Sequence, residues 1–497
     1  METSKDKLDR VIQLLWGLAL VCLPVTSFPF LPLIGKDTQV RPLSIYPMVV
    51  LFPLMLLQMR RKRIKVWQTV FTPLAVFLLL AFGSTLVAAF YAPLELHSQD
   101  YLGRVLRAVV TIVIGISFFV FAIWNSQNRK KFLNNLKWLY LGLFISFLWG
   151  VLQLLVYRGW ILNEEILDAM QKVFSISGIS LKNLRIPGFA FEPSWLAGQM
   201  AIFYLPWLFA SILTGFRLTS WRWLEFVLAG MAIFLLVLTY SRSGLMMVIA
   251  ASVLTMIITS RARIKQVWNW WIRPFKSDQP GKNGRINDLL QRSGLLIILL
   301  VLVGLSVVAL GRNPYFAKLW KSRKSNLVEY AVDIYAGPRL AYAIAGLETF
   351  GQHPWTGVGL GAGGMYLYDN LPDWSKTSIR EISIQLSPAS SSYPNSKNLF
   401  IRILVETGIP GVAAFVGLML FILARILTLG RSPDRDNRFL LISGIFSWIV
   451  ITLSFLSQDS FAMPTTWINF GLLLGLIESG RYPKLSSQIS SERSLQV

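Results

Sequence analysis

The sequence predicts an all-α integral membrane protein with about twelve transmembrane helices. A large outward-facing loop containing short helices is expected between spans 9 and 10. Three observations lead there. Of the 497 residues, 54% are apolar and 15% charged, where a soluble domain carries roughly 25% charged residues. The apolar residues form runs of about 17–23, and about 20 such residues let a helix cross the hydrocarbon. The basic residues behind the net charge of +23 gather in alternate joints between the runs, as the positive-inside rule requires. This composition excludes a soluble enzyme, a fibrous protein, a disordered tail and a disulfide scaffold.

Candidate spans cover 11–33, 43–59, 68–90, 103–124, 136–156, 196–215, 221–240, 243–259, 293–311, 411–429, 438–456 and 462–478. Leu14–Leu33 begins like a secretory signal, but no small-residue cleavage site follows, so it is expected to be the first span. With a cytoplasmic N-terminus, one side receives Arg60–Lys65, Arg129–Lys131 with Lys137, and Arg217 with Arg222. The same side receives the basic loop 260–292 and the group Arg425, Arg431, Arg435 and Arg438. Both termini then lie in the cytoplasm. The basic residues address lipid phosphate and topology, not nucleic acid. Segments 157–195 and 312–410 are the two long outward pieces, and chemistry is expected there. The second holds an amphipathic helix, Arg339–Phe350, the glycine-rich stretch Gly357–Gly364 and a serine-rich patch, Ser387–Asn395. The whole chain, 1–497, is a single polytopic domain without internal repeat. One cysteine, Cys22, and two histidines supply no disulfide and no zinc or haem ligand set.

Four constellations have the residue types that glycan or phosphate chemistry needs. Tyr240-Ser241-Arg242-Ser243-Gly244 joins two spans with almost no spacer. An arginine there can hold phosphate oxygens bidentately, helped by helix-end N–H groups, or it can simply snorkel from a tight turn. Arg185-Ile186-Pro187-Gly188-Phe189-Ala190-Phe191-Glu192-Pro193-Ser194 sets a carboxylate between prolines and aromatics. Glu192 is either a general base or a cap for the helix that follows. In Gly337-Pro338-Arg339, the cation heads a helix whose dipole opposes it, which points to anion binding. The helix leads to His353-Pro354-Trp355-Thr356-Gly357-Val358-Gly359, where Gly357 and Gly359 permit close backbone approach to a ligand; His353 is expected to be structural. The fourth runs from Ser396-Lys397-Asn398 to Glu406-Thr407-Gly408. Gly408, Pro410 and Gly411 break the apolar pattern, so Asn398–Thr407 is expected as a separate short helix at the outer interface. Asn398, Arg402 and Glu406 are spaced by four and share one polar stripe, expected to point out of that helix.

In this order, the Ser-Arg-Ser-Gly joint, the Arg339 helix with its His-Pro-x-x-Gly-x-Gly, and the Asn398…Glu406-Thr-Gly helix resemble the O-antigen ligase and O-antigen polymerase superfamily. The resemblance covers roughly 190–480. It implies a metal-independent glycosyltransferase without cofactor, on the outer face of the bacterial inner membrane. Such an enzyme moves a glycan from an undecaprenyl pyrophosphate carrier to a hydroxyl, with arginines on the pyrophosphate. Arg242 and Arg339 lead that assignment, followed by Arg185 and Arg402, with Ser241, Ser243, Asn398, Gly357 and Gly359 as further substrate contacts. Ligases carry a histidine just before the asparagine of the fourth motif; here that position is Lys397. A protonated lysine cannot accept a proton, which moves the expectation toward an O-antigen or exopolysaccharide polymerase. Glu192 becomes the leading catalytic base, with Lys397 and Glu406 as the other candidates. Partners are then the undecaprenyl pyrophosphate-linked glycan and membrane lipids, and chain-length control would need a separate regulator.

The competing class is a multi-pass transporter of a small anion or lipid-linked sugar. Against it stand the lack of charged residues in mid-span and the missing repeat symmetry. A non-catalytic accessory protein is the third class. The topology is testable by thiol labelling in whole cells: cysteines at Ser325 and Ser391 should react with an impermeant reagent, and one at Ser277 should not. The opposite pattern would place the long loop inside.

Overall fold

The computed structural model describes residues 4–30, 38–61, 67–92, 95–96, 99–161, 163–177, 185–259, 311–385, 393–431 and 434–479. The expected loop 260–292 and the body of span 293–311 lie outside the described residues. The rest is helical apart from a minimal ladder, β1 (Glu95–Leu96) with β2 (Gln99–Asp100), and an isolated bridge between Ser27 and Arg41.

The membrane bundle runs α1 (Ser4–Val21), α2 (Ile45–Arg61), α3 (Trp67–Ala88), α4 (Tyr101–Trp124), α5 (Arg129–Tyr157), then, after α6 (Glu164–Phe174), α7 (Pro193–Gln199). A π-turn, Met200–Tyr204, carries α7 into α8 (Leu205–Thr214), followed by α9 (Arg222–Leu238) and α10 (Arg242–Thr259). A layer of shorter helices comes next: α11 (Pro314–Lys321), α12 (Leu327–Asp333), α13 (Gly337–Gln352), α14 (Gly363–Leu367), α15 (Asp373–Ser378) and α16 (Arg380–Gln385). The chain returns through α17 (Leu399–Leu427), α18 (Arg435–Ser454) and α19 (Pro464–Ser479).

Seven of the described helical stretches are long and apolar enough to cross a membrane, fewer than the twelve expected. The body of span 293–311 lies outside the described residues, α2 has 17 residues, and the remaining differences have local causes. Charges at Lys5, Asp6, Lys7, Asp9 and Arg10 occupy the start of α1, which also stops at Val21, well short of the expected residue 33. Pro24 follows, and the 25–28 stretch then bonds beside Arg41, with Arg41 N donating to Thr26 O (2.8 Å). Helices α9 and α19 have 17 and 16 residues. Even so, α3 and α10 present Leu79, Leu86, Met246 and Ile249 fully outward, an apolar surface that belongs in lipid. This is a helical membrane protein.

Small residues set the closest helix contacts. A Cβ on Gly471 would lie 2.5 Å from Ala122 Cβ and 2.7 Å from Phe119 O, and one on Gly475 2.6 Å from Ile123 O. The Gly-x-x-x-Gly pair on α19 thus seats α4 backbone to backbone, the usual device where no hydrophobic force separates helix from lipid. Buried polar groups pair across helices as well, as in Trp16 Nε1 to Asn135 Oδ1 (3.1 Å) and Trp124 Nε1 to Gln58 Oε1 (2.9 Å).

The joints sort to two ends. At one end Arg129 meets Asp436 (3.1 Å), lies over the Phe216 ring, and Phe216 stacks on Phe439. Arg425 pairs there with Glu478 (2.7 Å). These joints carry the clustered basic residues. The opposite end gathers the start of α7, the α9–α10 joint, the α18–α19 joint and the layer α11–α16. Gly471→Val should separate α4 from α19, and the purified protein in detergent should melt several degrees lower; unchanged melting would show that this contact does not set the spacing.

Candidate active site

The segment before α7 is held from three directions. Gly188 adopts φ +59° and is clasped by two buried glutamines. Its N–H donates to Gln153 Oε1 (2.9 Å), and its carbonyl accepts from Gln153 Nε2 and Gln171 Nε2 (3.0 Å each). Phe189 stacks on Trp149 at 5.1 Å between ring centroids. Arg185 Nε donates to Thr239 O (3.0 Å), and Phe191 N to Thr26 Oγ1 (2.9 Å). Glu192 therefore arrives at the head of α7 in a fixed place. It occupies the N-cap position, but its carboxylate makes no capping bond; Oε1 instead accepts from Ser194 Oγ. The capping alternative is corrected to that extent: Pro193 occupies the first helical position without an N–H, and the carboxylate stays exposed.

Ser241 caps α10, its Oγ accepting from Gly244 N (3.3 Å). Arg242 Nη1 donates to Ile334 O (2.8 Å), tying α10 to the turn that leads into α13. Arg339 stands in the first turn of α13, exposed, and makes no ion pair among the described residues.

Glu192, Ser194, Ser243 and Arg339 line one open cleft. Its other walls come from Thr26 and Pro42, from Gln199 and Ile202 at the π-turn, and from Ser457, Gln458 and Pro464 of the α18–α19 joint. Leu23, Ile202 and Met247 add apolar side chains to the lining.

The fourth constellation forms a neighbouring, buried cluster. Gly408 (φ 63°, ψ −166°) breaks α17 after Thr407, as the glycine and proline spacing predicts. The polar stripe, however, points inward, not out. Arg402 Nε meets Glu406 Oε1 at 3.0 Å, Arg402 Nη1 donates to Asp459 O (2.8 Å), and Glu406 is buried. Asn398 is the N-cap of α17, accepting from Ile401 N (3.2 Å). Lys397 lies in the left-handed region at φ 49°, its ammonium paired with Glu381 and its N–H on Asp459 Oδ2 (3.2 Å).

What Gly357 and Gly359 approach is the chain's own backbone. Gly359 N donates to Glu406 O (2.9 Å), and Val358 N to Val405 O (2.9 Å). A Cβ on Gly357 would sit 2.5 Å from the Glu406 carbonyl carbon. His353 stacks on Tyr91 (5.2 Å) and meets Tyr366 edge-on. Burial pushes the Tyr366 hydroxyl up to about 12 and raises that of Tyr393, which lies under Arg104 (3.5 Å to the ring). Both stay neutral, and Tyr393 Oη donates to Gly361 O (3.0 Å).

The structure thus brings Glu192, Ser243 and Arg339 together. Arg185, Ser241 and Arg242 hold the joints beside them, and Lys397, Asn398, Arg402, Glu406, Gly357 and Gly359 form the adjoining cluster. Sequence reasoning missed Gln199, Gln458 and Asp459. A lone glutamine inside an apolar run was the available sign for Gln199; Gln458 and Asp459 sit in a short joint with no distinguishing pattern.

The polytopic helical bundle carries this cleft at the end where the α9–α10 and α18–α19 joints meet. Residues 226–416 match the family model for O-antigen ligase, so this stretch of the chain is similar to that family. The matched stretch contains Arg242, Arg339, Lys397, Asn398, Arg402 and Glu406, while Arg185 and Glu192 precede it. No curated protein matches the chain.

Arg402→Met would leave the Glu406 carboxylate buried without its cation. The expected cost is about 3–5 kcal/mol, read as loss of folded protein after detergent extraction. Adding Glu406→Gln should recover much of that loss, whereas a double variant no better than the single would argue against the pair as the cause.

Proposed function

We propose that this protein transfers a glycan from an undecaprenyl pyrophosphate carrier to a sugar hydroxyl, as an O-antigen or exopolysaccharide polymerase on the outer face of the inner membrane. The carrying observation is the cleft: Glu192, Ser243 and Arg339, separate in sequence, line one space between helix ends. An exposed arginine without a carboxylate partner among the described residues suits pyrophosphate, whose leaving charge a guanidinium stabilises as it develops. Arg242, through Ile334 O, and Arg185, through Thr239 O, then act as positioning residues for the Arg339 turn and the Ser241–Ser243 joint. Leu23, Ile202 and Met247 give the carrier's isoprenoid tail apolar contacts at the cleft.

Glu192 serves as the base in this reading. Lys397 is engaged with Glu381, and Glu406 is buried against Arg402, so of the three candidates Glu192 alone lines the cleft. Ser194 Oγ donates to its Oε1 and orients the carboxylate. As the acceptor oxygen attacks the anomeric carbon, its proton passes to Glu192. The bond from that carbon to the phosphate oxygen breaks, and the pyrophosphate leaves with the electron pair toward Arg339. Chain-length control falls to a separate protein in this scheme.

Glu192→Gln should keep donor binding and lose on the order of 10²–10⁴ in transfer rate. Arg339→Ala should lose on the order of 10²–10³, with Arg339→Lys restoring only part because a point charge lacks the bidentate fork. Both are measured by transfer from the lipid-linked glycan that accumulates in cells lacking this protein. Should Lys397→Ala abolish transfer while Glu192→Gln leaves it intact, the base assignment is wrong.

A further inference from the structure

Two glutamines that line the cleft each bury an amide oxygen that has no partner among the described residues. Gln199, the last residue of α7, is almost fully buried, and its Nε2 is held by Leu23 O (3.1 Å) and Pro24 O (3.4 Å). That anchoring fixes the amide plane and turns Oε1 away from the α1 end, where no hydrogen-bond donor reaches it. Gln458, on the α18–α19 joint, likewise buries an Oε1 without a partner. Both side chains line the same cleft as Glu192 and Arg339. A buried acceptor left unsatisfied is costly, and such groups are tolerated where a ligand completes them.

The backbone at this place is unusual in a second, independent way. The π-turn Met200–Tyr204 begins directly after Gln199. Single π-turns cost helix geometry and gather at functional sites. Here the turn is secured by Asn469 Nδ2 of α19, which donates to Ile202 O and Ser447 Oγ. The widened turn leaves both Gln199 and Ile202 on the cleft wall.

We propose that Gln199 and Gln458 form a subsite that reads the first sugar of the lipid-linked donor, accepting hydrogen bonds from the O–H and N–H groups of a neutral ring beside Glu192. This inference rests on the donor reading above. Two neutral acceptor oxygens favour a ring that offers O–H and N–H donors at those positions over one that offers only acceptors there. They also reject a ring lacking the matching hydroxyl more strongly than an apolar wall would, because the unpaired oxygens stay buried. The pyrophosphate at Arg339 and the acceptor hydroxyl at Glu192 leave the donor's first ring between them.

The test uses the purified full-length protein and two lipids: bare undecaprenyl pyrophosphate, and the same carrier bearing the glycan extracted from cells lacking this protein. The wild-type protein should bind the glycan-bearing lipid at least tenfold more tightly than the bare one. Gln199→Met and Gln458→Met keep side-chain length and remove the acceptor, and each should bring that preference down toward parity. Gln458→Glu, which restores an oxygen, should retain most of it, so the proposal stays exposed to refutation even where Gln199→Met fails to fold. Methionine variants with the wild-type preference, or a wild-type protein without preference, would overturn the subsite and leave the donor reading standing. Binding of neither lipid by the wild-type protein would overturn the donor reading and the subsite together.

Discussion

Arg402 and Glu406 are held together inside the protein at 3.0 Å, and four parts of the chain meet on that pair. Arg402 also grips the carbonyl of Asp459, which fixes the joint carrying Ser457 and Gln458. The Glu406 carbonyl accepts from Gly359 N and from Ser84 Oγ, which brings in the glycine-rich loop and the end of α3. A charge pair of this kind gains little net stability over an apolar contact, yet becomes expensive once one partner is lost. Its effect is to hold α17, the loop, α3 and the α18–α19 joint in one arrangement.

Gly408 makes this arrangement possible. Its left-handed φ breaks α17 so that the first two turns, with Arg402 and Glu406, tilt away from the apolar remainder. The residue is also packed: a Cβ there would lie 2.6 Å from Trp355 O. The same geometry explains the glycines of the 357–361 loop, which let two backbones touch. Conformational freedom at these positions serves close packing beside the cleft.

The cleft is assembled from pieces that are each fixed elsewhere. Glu192 depends on Gln153 and Gln171 clasping Gly188, and the turn before Arg339 is tied to Arg242 through Ile334 O. Gln458 depends on Arg402 through its neighbour Asp459. Rigid supports of this sort place functional groups where they need not reorganise during reaction. Glu192 and Arg339 stay exposed at the cleft.

By itself the sequence determined the class, the helix order and the break points, because these depend on local composition. Apolar runs, charged joints, and glycine and proline positions act over a few residues. Most of the expected spans coincide with described helices, and Arg339 and Asn398 stand at helix starts as their spacing implies. Only the tertiary structure decided which polar residues share a space. The stripe of Arg402 and Glu406 has the same period whether it faces out or in, so its burial follows from what packs against it. Gln199 and Gln458 are neutral, unpatterned and more than 250 residues apart, and the π-turn leaves no mark in the sequence. Their convergence with Glu192 and Arg339 comes from helix packing, which no local rule encodes.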